Sequence, residues 1–326
     1  AHYHLRRAKE DEELPPEVVN TIRRTRTVIR TSKDWRFGFD FGLAPDTNIN
    51  AATKAETIDV NFGAVRVPLT LDEQARARSG LGLTANPFGS LRLPTSERTS
   101  IVTDFDASMV NYDGSDLDDY TMQIAAGPEL RLGTRATVTL QGVGLYRLYG
   151  GQTAARQAGA KLGFQYDLSR SQRMGLQLDG RRTDSDFGDG YSGWQLGAVA
   201  TYEQVVAQSF LASVSVYARR DDMKLAAYSS SSGGVSLGLG GELPWGVNAG
   251  LSGGVGFAAY DEPQYFFSAE KRQDTRYHGR VYLGLRKLRW HGFSPSVEYT
   301  YSQVETNYDL YRASRHGYEF KLARYF

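Results

Sequence analysis

His2, His4, His278, His291 and His316 are the only imidazoles in this chain of 326 residues, which contains no cysteine. Without a thiol there is no disulfide framework, no thiolate metal site and no cysteine nucleophile. His2 and His4 stand near the start, His278 within a stretch of alternating polarity, and His291 and His316 at the ends of such stretches. None of these spacings pairs a histidine with Ser or Asp as base and nucleophile, because the partners would have to come from separate strands. A lipid-modifying or proteolytic activity is therefore the weaker reading, and neither enzyme activity nor a cofactor is expected. "DTNIN" sets Asp46, Asn48 and Asn50 at alternate positions, as calcium loops set their oxygens. The glycine and the distal bidentate glutamate of such loops are missing, so a loop pinned by Asx turns is the better expectation and no metal is assigned. "GGVSLGLGGELPWG" has no Lys-Ser or Lys-Thr to cradle phosphate and alternates like a strand.

The larger set of chemically able residues consists of charges recurring at every second position. Asp40, Glu129, Arg131, Lys161, Arg173, Asp179, Arg181, Arg276, Arg280, Arg286 and Glu298 all fall on the polar parity of their stretches. Two kinds of work are open to them: ladders that fill or line an enclosed space, or an eyelet that selects charged solutes.

The elements that carry these charges are strands. "WRFGFDFG" places Trp35, Phe37, Phe39 and Phe41 on one face and Arg36, Gly38 and Asp40 on the other. "RATVTLQGVGLYRLY", "YTMQIAAGPELRL", "AGAKLGFQYDL" and "RYHGRVYLGLRK" repeat the pattern. Such stretches run to about 10 residues or more, beyond the usual soluble strand and matched to a tilted membrane-spanning one. One face is apolar and the other polar or charged, which fits lipid outside and water within. Aromatic residues near the strand ends, Tyr146 and Tyr149, Trp194 and Tyr202, Trp290 and Phe293, Tyr299 and Tyr301, read as interfacial girdles. Tight connections such as "LGT", "SRSQ" and "PWG" alternate with longer polar ones, among them "DFGDGYSG" and "YDEPQYFFSAEKRQD". The expected fold is an all-β transmembrane antiparallel up-and-down barrel of about 14 strands over residues 35–326. Its first strands are read at 35–43 and 78–86 and its last at 314–326, with room for a further strand in 44–77.

Composition agrees. Gly 35, Tyr 20 and Phe 15 against Met 4 describe a glycine- and aromatic-rich β protein, and a net charge of +1 gives no field that would draw nucleic acid. Mean hydropathy is −0.45, and no run of about 18 apolar residues marks a membrane helix, which does not speak against a barrel. Residues 1–34 differ: Pro15 and Pro16 precede "EVVNTIRRTRTVIR", whose apolar and basic residues follow a rough helical period. A short helical segment in the periplasm is expected there. The opening has no charged-then-apolar leader, so any signal peptide is expected to have been removed.

The stretch "DWRFGFDFGLAPDTNIN" resembles the start of the barrel domain in the surface lipoprotein assembly modifiers (Slam). In that family a Gly-x-x-Pro-Asp-x-Asn-x-Asn stretch follows the first strand, and Gly42, Pro45, Asp46, Asn48 and Asn50 match it. "AHYHLRRA" resembles the tail of a final tetratricopeptide repeat helix and "LPPEVVNTIRR" the linker after it; most of the repeat domain has no counterpart. At the other end, Arg315, Gly317, Phe320 and Leu322, with the terminal Phe326, resemble the signal read by the outer-membrane barrel assembly machinery. The resemblance implies an outer-membrane translocon that moves lipoproteins or related protein cargo to the cell surface, through a gated passage or along a seam that guides a substrate strand. The partners implied are outer-membrane lipid and lipopolysaccharide, the protein cargo and the barrel assembly machinery. A passive porin for small solutes is the alternative.

Overall fold

The computed structural model describes residues 34–62, 65–206 and 209–325. All of the segment expected to be helical except Asp34, and the terminal Phe326, lie outside the described residues. Sixteen strands are present among them: β1 (Trp35–Asp46), β2 (Thr57–Phe62), β3 (Val65–Thr70), β4 (Gly80–Pro94), β5 (Thr99–Tyr112), β6 (Asp119–Leu132), β7 (Ala136–Tyr149), β8 (Gln152–Asp167), β9 (Gln172–Ser185), β10 (Gly193–Val206), β11 (Phe210–Met223), β12 (Ser230–Leu243), β13 (Val247–Tyr260), β14 (Gln273–Leu285), β15 (Ser294–Thr306) and β16 (Ala313–Tyr325). Fourteen of them close a barrel in which each neighbour is antiparallel and β1 pairs with both β4 and β16; β2 and β3 form a separate hairpin.

Alternation decides which side of the wall a residue faces. Along β12, Val235, Leu237 and Leu239 are exposed while Ser236 is buried; along β9, Met174, Leu176 and Leu178 are exposed while Arg181 and Thr183 are buried. A soluble protein would bury the large apolar set, so the inversion identifies hydrocarbon as the outer solvent. A strand of 14 residues, such as β12, rises about 3.3 Å per residue and, tilted by about 40°, spans roughly 35 Å. That exceeds an apolar belt of about 25 Å, so the strand ends stand clear of the membrane.

The two rims differ. At one, where the chain enters at Trp35 and leaves at Tyr325, the turns are short, for example Gly133–Arg135 between β6 and β7. At the other, four connections are built on single 3₁₀ turns: Ser115–Leu117, Asp189–Tyr191, Ala226–Tyr228 and Asp309–Tyr311. Side chains stitch these loops together, with Tyr191 stacked on Tyr228 at 4.1 Å and Tyr149 edge-on to Phe187 at 6.4 Å. Tyr149 is 2% exposed and lies on the inner parity, so it is no girdle residue.

The connection from β1 to β4 folds over this loop rim. Ala52, Ile58, Val60, Leu71 and Ala75 pack with Tyr308, Leu310 and Tyr311 from the β15–β16 loop into a water-excluding core, flanked by Phe267 of the β13–β14 loop. Burying Ile58 and Val60 contributes about 1.5–3 kcal/mol each. The Tyr308 hydroxyl accepts from the Gln264 amide and donates to the Glu270 carbonyl (3.0 and 2.6 Å), and burial pushes its phenol above the ordinary tyrosine value.

Candidate functional site

The stretch after the first strand is where β1, β16 and the capping loop are tied together. Asp46 Oδ1 accepts the Asn48 amide at 2.8 Å, an Asx turn, and its Oδ2 accepts Arg315 Nε of β16 at 2.6 Å. The buried Asn48 carboxamide accepts from the Ala52 amide at 3.0 Å and donates to the carbonyls of Ala52 (2.9 Å) and Ser314 (3.1 Å). Asn50 does the same for the returning chain: its Oδ1 accepts the Arg78 amide at 3.0 Å and its Nδ2 donates to the Arg76 carbonyl at 2.7 Å. Each of these side chains thus spends an oxygen on an internal donor, and no cluster of three or more His, Cys, Asp or Glu that could hold a metal occurs among the described residues. Gly42 has a local reason: a Cβ there would run into the Phe320 carbonyl of β16. Pro45 brings no N–H to the β16 edge.

The barrel's inner face carries the charges. Arg280 of β14 donates to Glu298 of β15 (2.6 Å), and Lys321 of β16 lies 3.5 Å from Glu298 and 2.5 Å from Glu319. The belt continues past the seam: Thr84 of β4 donates to Glu319 at 2.8 Å, reaching across β1, and Asn86 donates to Asp40 at 2.7 Å. A second arc runs over β4–β9. Arg92 meets Glu129 at 2.9 Å, Lys161 lies 3.9 Å from Asp104, and Gln141 donates to that same carboxylate at 2.9 Å. Arg181 pairs with Asp179 at 3.1 Å and donates to Gln123 of β6 at 2.8 Å, three strands away. Near the loop rim Arg276 donates to Asp274 at 3.0 Å, and Arg147 grips Asp119 with two bonds of 2.9 Å. By contrast, the inner residues of β10–β13 are small or uncharged over most of their length, Ser215, Ser236 and Ser252 among them.

Of the charges singled out by parity, Asp40, Glu129, Lys161, Asp179, Arg181, Arg276, Arg280 and Glu298 stand on the inner face within these pairs. The remaining three gather at the termini rim. Arg131 is exposed there, Arg173 pairs with Asp167 at 2.7 Å, and Arg286, one residue beyond β14, reaches Glu242 at 3.1 Å. Sequence reasoning missed Glu319 and Lys321, although "YEFKL" alternates and would have shown them. Asp104, Gln123 and Gln141 were equally accessible to the parity rule. At the chain's end Arg315 and Gly317 face inward and Phe320 outward, half exposed. His278 also faces inward, opposite Gly254, where any Cβ would meet its ring.

Comparison with solved structures finds outer-membrane proteins of low identity. Pseudomonas aeruginosa OccK3 (OpdO) matches at TM-score 0.45 and 10% identity, over 90% of this chain and 96% of that one. A loop L8 deletion mutant of OmpT from Vibrio cholerae matches at 0.43 and 9%, over 90% and 100%. A Pseudomonas aeruginosa FadL homologue matches at 0.49 and 10%, over 90% of each chain. No curated protein matches the chain. The family model for the surface lipoprotein assembly modifiers matches residues 35–326, the whole of the barrel, and with it the Gly42-to-Asn50 stretch that ties β1 to β16. This outer-membrane β-barrel belongs to the surface lipoprotein assembly modifier family.

Proposed function

We propose that the barrel is a translocon, moving a lipoprotein or related protein cargo across the outer membrane to the cell surface. The observation that supports this reading best is the pairing of the inner charges in a member of this family. A solute filter presents unpaired charges of one sign to the permeating ion. Here Arg92, Lys161, Arg181, Arg280 and Lys321 are each matched by a carboxylate. A lining of neutralised, hydrogen-bonded groups suits a passing polypeptide, whose own backbone and mixed side chains need exchangeable partners and no net field. In this reading the segment before Trp35 lies in the periplasm, the loop rim faces outward among lipopolysaccharide, and the last strand is read by the barrel assembly machinery.

The test is reconstitution of the full-length protein in proteoliposomes with a lipoprotein substrate, scored by protease accessibility of the cargo on the far leaflet. Delivery above protein-free vesicles is expected. Sugar or ion flux without delivery would replace this reading with a passive porin.

A further inference from the structure

Resting on the translocon reading, we propose that the lipid anchor of the cargo leaves the barrel sideways through the β1–β16 seam, at Ala44–Pro45 opposite Tyr318–Glu319. An acylated polypeptide has two solvents to satisfy: its chain can cross in the aqueous lumen, but its acyl groups must finish in hydrocarbon. The wall is closed, so that transfer requires one ladder to part.

The ladder least costly to part is the shortest. Between β1 and β16, Gly38–Leu43 pair with Tyr325–Phe320, Ala44 and Pro45 are skipped, and pairing resumes only at Asp46 with Gly317. Among the described residues these seven pairs stand against eleven to fourteen in each of the other barrel ladders. The β4–β5 and β6–β7 ladders also skip two positions each, next to Pro87 and Pro128. There a short turn holds the two strands together at the termini rim, whereas no turn joins β1 to β16.

The two sides of the gap suit an amphiphile crossing it. On the lumen side the gap is flanked by Gly42 and Gly317, and the inward side chain within it, Glu319, is held by Thr84 across β1 and by Lys321 in polar contacts that can be exchanged. On the lipid side β15 and β16 present an aromatic platform: Tyr299 lies 5.1 Å from Tyr318, Tyr301 lies 5.0 Å from His316, and the Tyr299 hydroxyl shares a 2.9 Å hydrogen bond with His316 Nδ1. Rings with a polar edge suit the depth at which a lipid's ester groups sit. Beyond the gap the seam is closed by one backbone bond, the Thr47 amide on the His316 carbonyl, and by side chains, Arg315 on Asp46 and Asn48 on the Ser314 carbonyl. The side-chain bonds can be exchanged without unfolding a strand, which leaves a single backbone bond to break.

Because the chain lacks cysteine, a cross-strand disulfide can be introduced alone. Leu43→Cys with Phe320→Cys locks the seam, and Leu162→Cys with Leu178→Cys locks β8 to β9 as the control. In cells carrying the full-length protein, with folding verified by heat-modifiable mobility, oxidation of the seam pair is expected to abolish surface delivery and reductant to restore it. The control pair is expected to deliver equally in both states. Wild-type delivery by the oxidised seam pair overturns this inference and leaves translocation standing; a wild-type protein that delivers nothing removes the translocon reading and this inference together. A photo-crosslinking side chain at Tyr318 gives an independent readout. It is expected to capture the cargo's acyl chains, as one at Leu178 does not, and equal capture at both positions counts against the seam.

Discussion

Asn48 has 0% exposure and makes three hydrogen bonds to backbone, one of them to β16 some 266 positions away. Replacing it with alanine strands the Ala52 amide and the Ser314 carbonyl, at a cost of about 2–3 kcal/mol. Denaturant unfolding of Asn48→Ala in detergent should show that loss, and Asn48→Asp, which sets a buried carboxylate against the Ala52 and Ser314 carbonyls, should lose at least as much. At the inner wall Glu298 receives both Arg280 and Lys321. Glu298→Ala leaves the buried Lys321 and the part-buried Arg280 with one partner fewer each, so destabilisation of about 3 kcal/mol is expected in the same assay. Tyr308 supplies a pH dependence. Its folded pKa is raised by burial above the free value of about 10, so the neutral phenol stabilises the cap fully below that value and the contribution fades as pH rises through the folded pKa. Amide exchange in the β13–β14 loop should therefore accelerate at alkaline pH, and Tyr308→Phe should flatten the dependence. Part of this was legible in the sequence. The alternate oxygens of Asp46, Asn48 and Asn50 announced a pinned loop, but their partners Ser314, Arg315 and Arg78 are fixed by closure of the barrel, which local spacing does not encode.

Among elements, the β2–β3 hairpin shows how a strand-rich connection escapes periodicity. "TIDVNF" and "VRVPLT" alternate correctly, yet each spans only 6 residues, too short to cross a membrane, and a charged, alanine-rich run precedes them. The sequence leaves room for one strand in 44–77, and two are present, forming a hairpin over the rim. The second barrel strand, read over 78–86, runs to Pro94, because Pro87 and Gly89 on the outer face and Phe88 on the inner one interrupt the alternation. Elsewhere the boundaries agree within a few residues, since long strands with one lipid face repeat the same contrast many times. The hairpin's independence from the wall has a measurable corollary. Exchanging residues 57–70 for a short Gly-Ser linker should leave a heat-modifiable barrel, whereas Ile58→Asp, which buries a charge beside Tyr308 in the intact cap, should lower stability by about 3 kcal/mol or more. A linker variant that no longer folds would show that the cap is needed to close the barrel.

On the scale of the molecule, the decisive property is a wall with opposite solvents on its two sides. That was readable from parity alone. Which inner charges meet was not, because Arg181 and Gln123 come together across three strands only after the sheet has curved. The same property predicts a directional penalty. Leu237, in the middle of β12 and 60% exposed, faces outward, while its neighbour Ser236 faces in. Leu237→Arg should destabilise the reconstituted protein by about 2–4 kcal/mol and Ser236→Thr by little, as measured by folding into vesicles. The four tryptophans carry a last consequence of the two-rimmed wall. Trp35, Trp245 and Trp290 stand at the rim of the chain ends and Trp194 alone at the other, each with at least half its surface uncovered. The indoles are thus a built-in optical depth gauge: brominated lipids confined to one leaflet would dim either the trio or the single emitter, and report without any label which way round the protein has been inserted.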